Sequence, residues 1–271
     1  MQKEGKSSSL IKRHVTGALI LPVFIAYIYY LEPMPYFFIL LGAVAVIAMW
    51  EFYEMYKVPV RLYVPGIMIG IFLFYVFCRY PAYVKEGIFV SMLFLLLLRL
   101  FFVNTPSGCM SEIAPITMGF FYIVFFLSFQ WLLRTGDNGL EYIFLLYTAT
   151  WFSDSMAYYI GTYLGRNKLY PAVSPNKTIE GAFGSIIGGI LGVVIIKNIF
   201  DIPALSPITV IAIGTALGIA ALIGDLFESM FKRDAGVKDS SNFIPGHGGI
   251  LDKIDGFLVT GPVLYFIVRY F

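Results

Sequence analysis

Three short stretches place carboxylates where a very apolar chain should hold none. In "IGDLFESMFKR", Asp225, Glu228 and Lys232 follow one another at spacings of three and four, so on a helix they share a face as two acids and then a cation. In "GGILDKID", Asp252 and Asp255 repeat the spacing of three at the head of the last apolar segment. Asp154 lies in the middle of another, "TATWFSDSMAYYIG", between Ser153 and Ser155. A carboxylate there costs about 2.5 kcal/mol or more against lipid, so it is expected to face a cavity, a cation or a partner. Asp225, Asp252 and Asp255, with Asp154 nearby, would form an oxygen-only cluster. That chemistry suits magnesium, as one or two divalent ions, which bind one or two carboxylates and complete their shell with water and substrate phosphates. Zinc would call for cysteine or histidine, and His247 is the one histidine near the cluster.

Simpler explanations exist for single features: Glu228 and Lys232 are an ordinary helix-end pair, and acids in a first turn complement the macrodipole. Neither covers two acid pairs beside so many cations. In "PGHGG", Gly246, Gly248 and Gly249 let backbone N–H groups approach an anion, and the helix that follows adds its dipole. In "SPNKTIEG", residues 174 to 181, Ser174 is expected to cap a helix with Pro175 in its first position, leaving Lys177 and Thr178 at the helix entrance facing anions. The upstream glycines lack Walker A spacing. Lys232, Arg233, Lys238 and Lys253, intermixed with the acids, fit a site for metal and nucleotide phosphates.

The elements that must carry these residues are membrane spans. The chain has 271 residues, 59% hydrophobic and 13% charged, too apolar for a water-soluble surface of normal size. A net charge of +2 with scattered basic residues gives no footing for a nucleic-acid partner. Apolar stretches near 15–31, 36–52, 63–78, 87–103, 116–133, 142–160, 182–199, 207–225 and 256–270 give nine spans. The first nine residues are polar, and the segment that follows is an anchor, with no small-residue cleavage site behind it. The expected fold is therefore an all-α polytopic bundle of about nine transmembrane helices with a cytoplasmic N-terminus and an outside C-terminus. This orientation collects thirteen Lys and Arg on the cytoplasmic side against five opposite, with Arg99 left inside the fourth span to snorkel, face the bundle interior or lie near an interface. Cys78 and Cys109 fall on opposite sides, so no disulfide is expected. Three sections follow: residues 1–80 with spans one to three, 81–135 with spans four and five, and 136–271 with spans six to nine and two long cytoplasmic loops.

The stretch from Ser229 to Asp255, "SMFKRDAGVKDSSNFIPGHGGILDKID", closely resembles the signature of the phosphatidate cytidylyltransferases, or CDP-diacylglycerol synthases. That pattern runs Ser, any residue, an apolar residue, Lys-Arg, four residues, Lys-Asp, then Pro-Gly-His-Gly-Gly and Asp-Arg-apolar-Asp. Lys253 stands where the pattern has Arg, keeping the charge and losing the planar fork. "FSDSMAY" and "SPNKTIEG" are similar to the family's two other motifs, so the C-terminal half is covered. The N-terminal half offers hydropathy and "WEFYEM", residues 50 to 55.

The resemblance implies transfer of a cytidylyl group from CTP to phosphatidic acid, giving CDP-diacylglycerol and pyrophosphate, with magnesium required. It implies catalytic roles for Asp225, Asp252, Asp255, Lys232 and Arg233, with the three aspartates and Asp154 toward metal. Lys177, Thr178, Lys238, Gly246, His247, Gly248, Gly249 and Lys253 would hold the triphosphate and the lipid phosphate. Asp239 belongs to the motif without a role. The lipid bilayer is a partner, a homodimer is compatible, and the expected place is the inner, cytoplasmic membrane with the site toward the cytoplasm. The competing readings are a CTP-dependent polyprenol or phytol kinase, which moves the γ-phosphoryl group, and an ion-coupled transporter using Asp154.

Overall fold

The computed structural model describes residues 22–103, 105–202, 205–241, 243 and 248–270. Among them the chain forms nine helices, α1 (22–30), α2 (Pro33–Met55), α3 (Val60–Arg79), α4 (Val84–Phe102), α5 (Cys109–Arg134), α6 (Gly139–Tyr163), α7 (Ile179–Phe200), α8 (Pro207–Asp234) and α9 (Leu251–Tyr270). Each coincides with one expected span. Residues 1–21, with Lys3, Lys6, Lys12, Arg13 and the start of the first span at Val15, lie outside the described residues. Length and composition alone make α2, α3, α5, α7 and α8 able to cross a membrane, and the molecule is an α-helical integral membrane protein.

Among the described residues, the departure from an all-α chain is a small antiparallel hairpin, β1 (Lys168–Tyr170) and β2 (Ser174–Thr178), in which Lys168 pairs with Thr178 and Tyr170 with Ser174. It corrects the expectation that Ser174 caps a helix starting at Pro175. The residue before a proline is pushed toward extended backbone, and the chain stays extended through Thr178 at φ −124° and ψ 156°. Thr178 is the true cap, its Oγ1 accepting from Gly181 N at 3.1 Å. Glu180, two residues on, accepts from the backbone N–H groups of Arg166 and Asn167 and from Asn167 Nδ2 at 2.9 Å. The loop leaving α6 is thereby tied to the start of α7.

Helices α6, α7 and α8 meet backbone to backbone. Gly184, Gly188 and Gly192 on α7 face Met156, Phe152 and Ala149 of α6, where an added Cβ would strike main-chain atoms. Gly189 meets Gly214 and Gly218 of α8, and Ser185 Oγ donates to Gly218 O at 2.9 Å. In lipid, where apolar burial does not drive helices together, such small-residue faces permit close van der Waals packing. Gly224 of α8 meets Asp255 and Gly256 of α9 in the same manner. Tyr147 Oη donates to Gln130 Oε1 at 2.8 Å and Gln130 Nε2 to Phe257 O at 3.4 Å, joining α6, α5 and α9.

Alternate helices run in opposite directions, so the connections gather at two ends. Tyr56 Oη donates to Asp234 Oδ2 at 2.9 Å, joining the C-terminal ends of α2 and α8. At the other end Trp131 Nε1 donates to Cys78 O at 3.0 Å and Arg134 Nη2 to Ile28 O at 3.3 Å. Of its three expected positions, Arg99 takes the one facing the bundle interior. It is buried where α4 ends, donates to Val103 O and Ser107 O, and pairs with Glu112 in the first turn of α5.

Candidate active site

The close approach of α6, α7 and α8 leaves a cavity of about 470 Å³ at the end of the bundle that carries the hairpin. Asp154 and Tyr158 enter it from α6, Lys177 and Thr178 from the strand leading into α7, and Leu222 and Asp225 from α8. Lys177 Nζ lies 2.7 Å from Asp225 Oδ2, and Ser229 Oγ donates to Asp225 Oδ1 at 3.2 Å. Asp154 is open to the cavity and within Coulombic reach of Asp225, Lys177 and Lys253. The expectation that it faces a cavity, a cation or a partner is met by the cavity.

A second group lies beside the first. Lys232, mostly buried, reaches Glu228 Oε2 on its own helix and Asp252 Oδ1 at 2.7 Å on α9. Asp252 Oδ2 accepts from Ser240 N at 3.1 Å, Ser240 Oγ at 2.9 Å and Gly249 N at 2.7 Å. Asp255, one turn deeper, is within Coulombic reach of Asp225 and Asp154. Glu228 Oε1 is buried with no hydrogen-bond partner among the described residues.

Four expected residues, Asp154, Lys177, Thr178 and Asp225, therefore line one cavity, while Asp255 and Lys253 flank it. Thr178 uses a hydroxyl lone pair to cap α7, which leaves its proton to donate. Arg233 turns elsewhere, donating to Val173 O at 3.3 Å and Val237 O at 3.1 Å, and thereby holds the hairpin against the end of α8. Lys238 is exposed and does not line the cavity. Gly246 and His247 lie outside the described residues.

Of the expected anion-accepting turn, Gly248 and Gly249 are among the described residues. The N–H groups at the head of α9 already have internal acceptors: Asp252 takes Gly249, and Glu51 takes Ile250 at 2.9 Å and Leu251 at 2.7 Å. Gly248 and Gly249 are needed for other reasons. Gly248 has φ +85°, and a Cβ on Gly249 would overlap Ser240 Oγ and Glu51 Oε2. Sequence reasoning missed Glu51 altogether. The available signal was an acid inside the apolar run "AMWEFYEM", the same anomaly that singles out Asp154.

No three His, Cys, Asp or Glu side chains among the described residues close into a ready metal cage. Magnesium does not need one, because one or two carboxylates plus phosphates and water complete its shell. The donors fit that chemistry. Asp225 and Asp255 lie on adjoining helices at the Gly224–Gly256 contact; both oxygens of Asp225, like those of Asp252, already have protein partners, Lys177 and Ser229, which a metal would in part replace.

Residues 11–271 match the cytidylyltransferase family. A phosphatidate cytidylyltransferase of Bacillus subtilis is 36% identical over 273 positions, covering 96% of this chain and 98% of that protein. One from Haemophilus influenzae is 30% identical over 287 positions, covering 97% and 99%. One from Thermotoga maritima is 41% identical over 172 positions, covering 60% of this chain and 62% of its own length.

Proposed function

Because this chain belongs to the cytidylyltransferase family, we propose that it transfers the cytidylyl group of CTP to phosphatidate, forming CDP-diacylglycerol and pyrophosphate. The observation that carries this reading is the cavity in which Asp154, Lys177 and Asp225 converge at the rim of a lipid-facing bundle. Phosphatidate keeps its acyl chains in the bilayer while CTP arrives from water. The reaction therefore needs charged groups at the end of apolar helices, with open space beside them.

A phosphate oxygen of phosphatidate attacks the α-phosphorus of CTP in line, the new P–O bond forms, and the bond to the β-phosphate breaks as pyrophosphate departs. The monoester oxygen is already a competent nucleophile, so no residue need form a covalent intermediate. Lys177 presents its ammonium to the phosphates and exchanges part of its contact with Asp225 for them. Lys253, within Coulombic reach of Asp154, adds a second cation at the same mouth. Lys232 holds Glu228 and Asp252 in place, which fixes α9 against α8. Magnesium held by Asp225 and Asp255, with Asp154 in reach, would neutralise the phosphates and the leaving pyrophosphate.

The same proposal includes nine spans, an N-terminus and a site on the cytoplasmic side, and placement in the cytoplasmic membrane. The charge asymmetry supports it. Among the described residues, Arg99 joins nine other cations at the cavity end, making ten Lys and Arg against five.

The test supplies purified protein with CTP labelled at the α-phosphate and with phosphatidate in mixed micelles. Label is expected in the lipid phase with an equal release of pyrophosphate. CDP with a phosphorylated alcohol would favour the kinase reading, and ion flux without CTP consumption would favour the transporter.

A further inference from the structure

Glu51 is fully buried near the C-terminal end of α2, yet its carboxylate holds the chain that enters α9. Its Oε1 accepts from Ser241 Oγ at 2.7 Å and Ile250 N at 2.9 Å. Its Oε2 accepts from Leu251 N at 2.7 Å and Ser240 Oγ at 3.2 Å. A helix N-terminus leaves its first N–H groups without intrahelical partners. In α9 a residue some two hundred positions earlier takes two of them. Glu51 and Asp252 also converge on one hydroxyl, Ser240 Oγ, which has a single proton to give.

We propose that Glu51 is a positioning residue for the transfer reaction: it holds Ser240, Ser241, Ile250 and Leu251 and so sets the depth and rotation of α9, on which Asp252 and Asp255 are carried. This rests on the cytidylyl-transfer reading. Asp255 is four residues beyond Leu251, about one helical turn, so a shift of the first turn is passed directly to its carboxylate. Three contacts converge on the same alignment: Glu51 to the α9 amides, Asp252 to Lys232 of α8, and the Gly224–Gly256 approach. The first of them comes from the N-terminal half of the chain.

Glu51→Gln tests this with little change of shape, since the amide can accept at one position but presents an N–H donor at the other. In full-length protein in micelles, amide hydrogen exchange at 249–251 is expected to accelerate about tenfold while α6 and α7 keep their protection. Turnover per folded molecule is expected to fall about 10- to 100-fold, the consequence of a misplacement near 1 Å, with KM for phosphatidate within about twofold. Ser240→Ala is the second variant: it deletes the shared hydroxyl, keeps both carboxylates, and should move the same two readouts in the same direction by less. It also decides the matter should Glu51→Gln fail to fold. Wild-type turnover in either folded variant, or accelerated exchange without lost turnover, overturns the proposal. An activity loss matched by a loss of folded protein reduces Glu51 to a packing residue and overturns it as well. If wild-type protein itself transfers no cytidylyl group, the functional reading fails instead, and that result is distinct.

Discussion

Gly188→Ala adds one methyl group at the place where α6 and α7 touch. The new Cβ would overlap the Phe152 carbonyl and stand 2.8 Å from Ser153 Cα, where ordinary contact is 3.4–4 Å. Both obstacles are main chain, so no side chain can rotate away, and the helices must part by about 0.6 to 1.2 Å to restore normal contact. Ser153 adjoins Asp154, and α7 begins two residues after Lys177, so the separation opens the cavity between its acid and its cation. Overpacking of this kind costs about 1 to 3 kcal/mol of stability, and a displacement near 1 Å at reacting groups costs up to about 100-fold in rate. Initial rates with α-labelled CTP, normalised to folded protein, should therefore fall roughly 10- to 100-fold, and the melting temperature should drop. Gly42→Ala is the matched control, the same change in a helix where the Cβ meets only the Phe74 ring at 4.0 Å. It should leave the rate within about twofold and gain up to about 1 kcal/mol from reduced backbone entropy. Equal behaviour of the two variants would refute the argument that glycine contacts set the cavity.

Lys232→Met leaves Glu228 and Asp252 buried without their cation, which should cost about 3 to 5 kcal/mol, and Glu228→Gln in the same chain should recover part of it; identical melting of single and double variants would show that the pair is not coupled. Asp255→Asn in folded protein should nearly abolish turnover across a magnesium titration, and near-normal activity at limiting magnesium would remove Asp255 from the metal site. Lys168→Cys and Ser206→Cys, both at exposed positions, should react with an impermeant maleimide from opposite faces of the membrane; labelling from one face would overturn the nine-span topology.

The apolar runs were legible because a bilayer imposes one simple rule, a helix of sufficient length in which every backbone group is paired internally. All nine expected spans correspond to helices, including the fourth, where Arg99 interrupts the pattern. The hairpin was not legible. Its residues are polar, its strands short, and Ser-Pro serves equally well as a helix start or an extended edge. The site was half legible. Acids inside apolar runs betrayed Asp154 and Asp225, but spacing along the chain does not show that Lys232 and Ser240 engage Asp252. Glu51 obeyed the rule that exposed Asp154, yet its donors lie 189 to 200 residues away, and only folding brings them together. The α7 glycines at 184, 188 and 192 were also in plain view, since small residues four apart mark a helix–helix contact in membranes.

The reach of Glu51 across the chain also dictates an order of events during synthesis. Helix α2 leaves the ribosome and enters the bilayer long before residues 240 to 251 exist, so its carboxylate begins life without any of its four donors. It stays that way until the final helix arrives and completes the circuit. A chain stopped short of Ser240 thus leaves the acid of its second helix without any of these four donors.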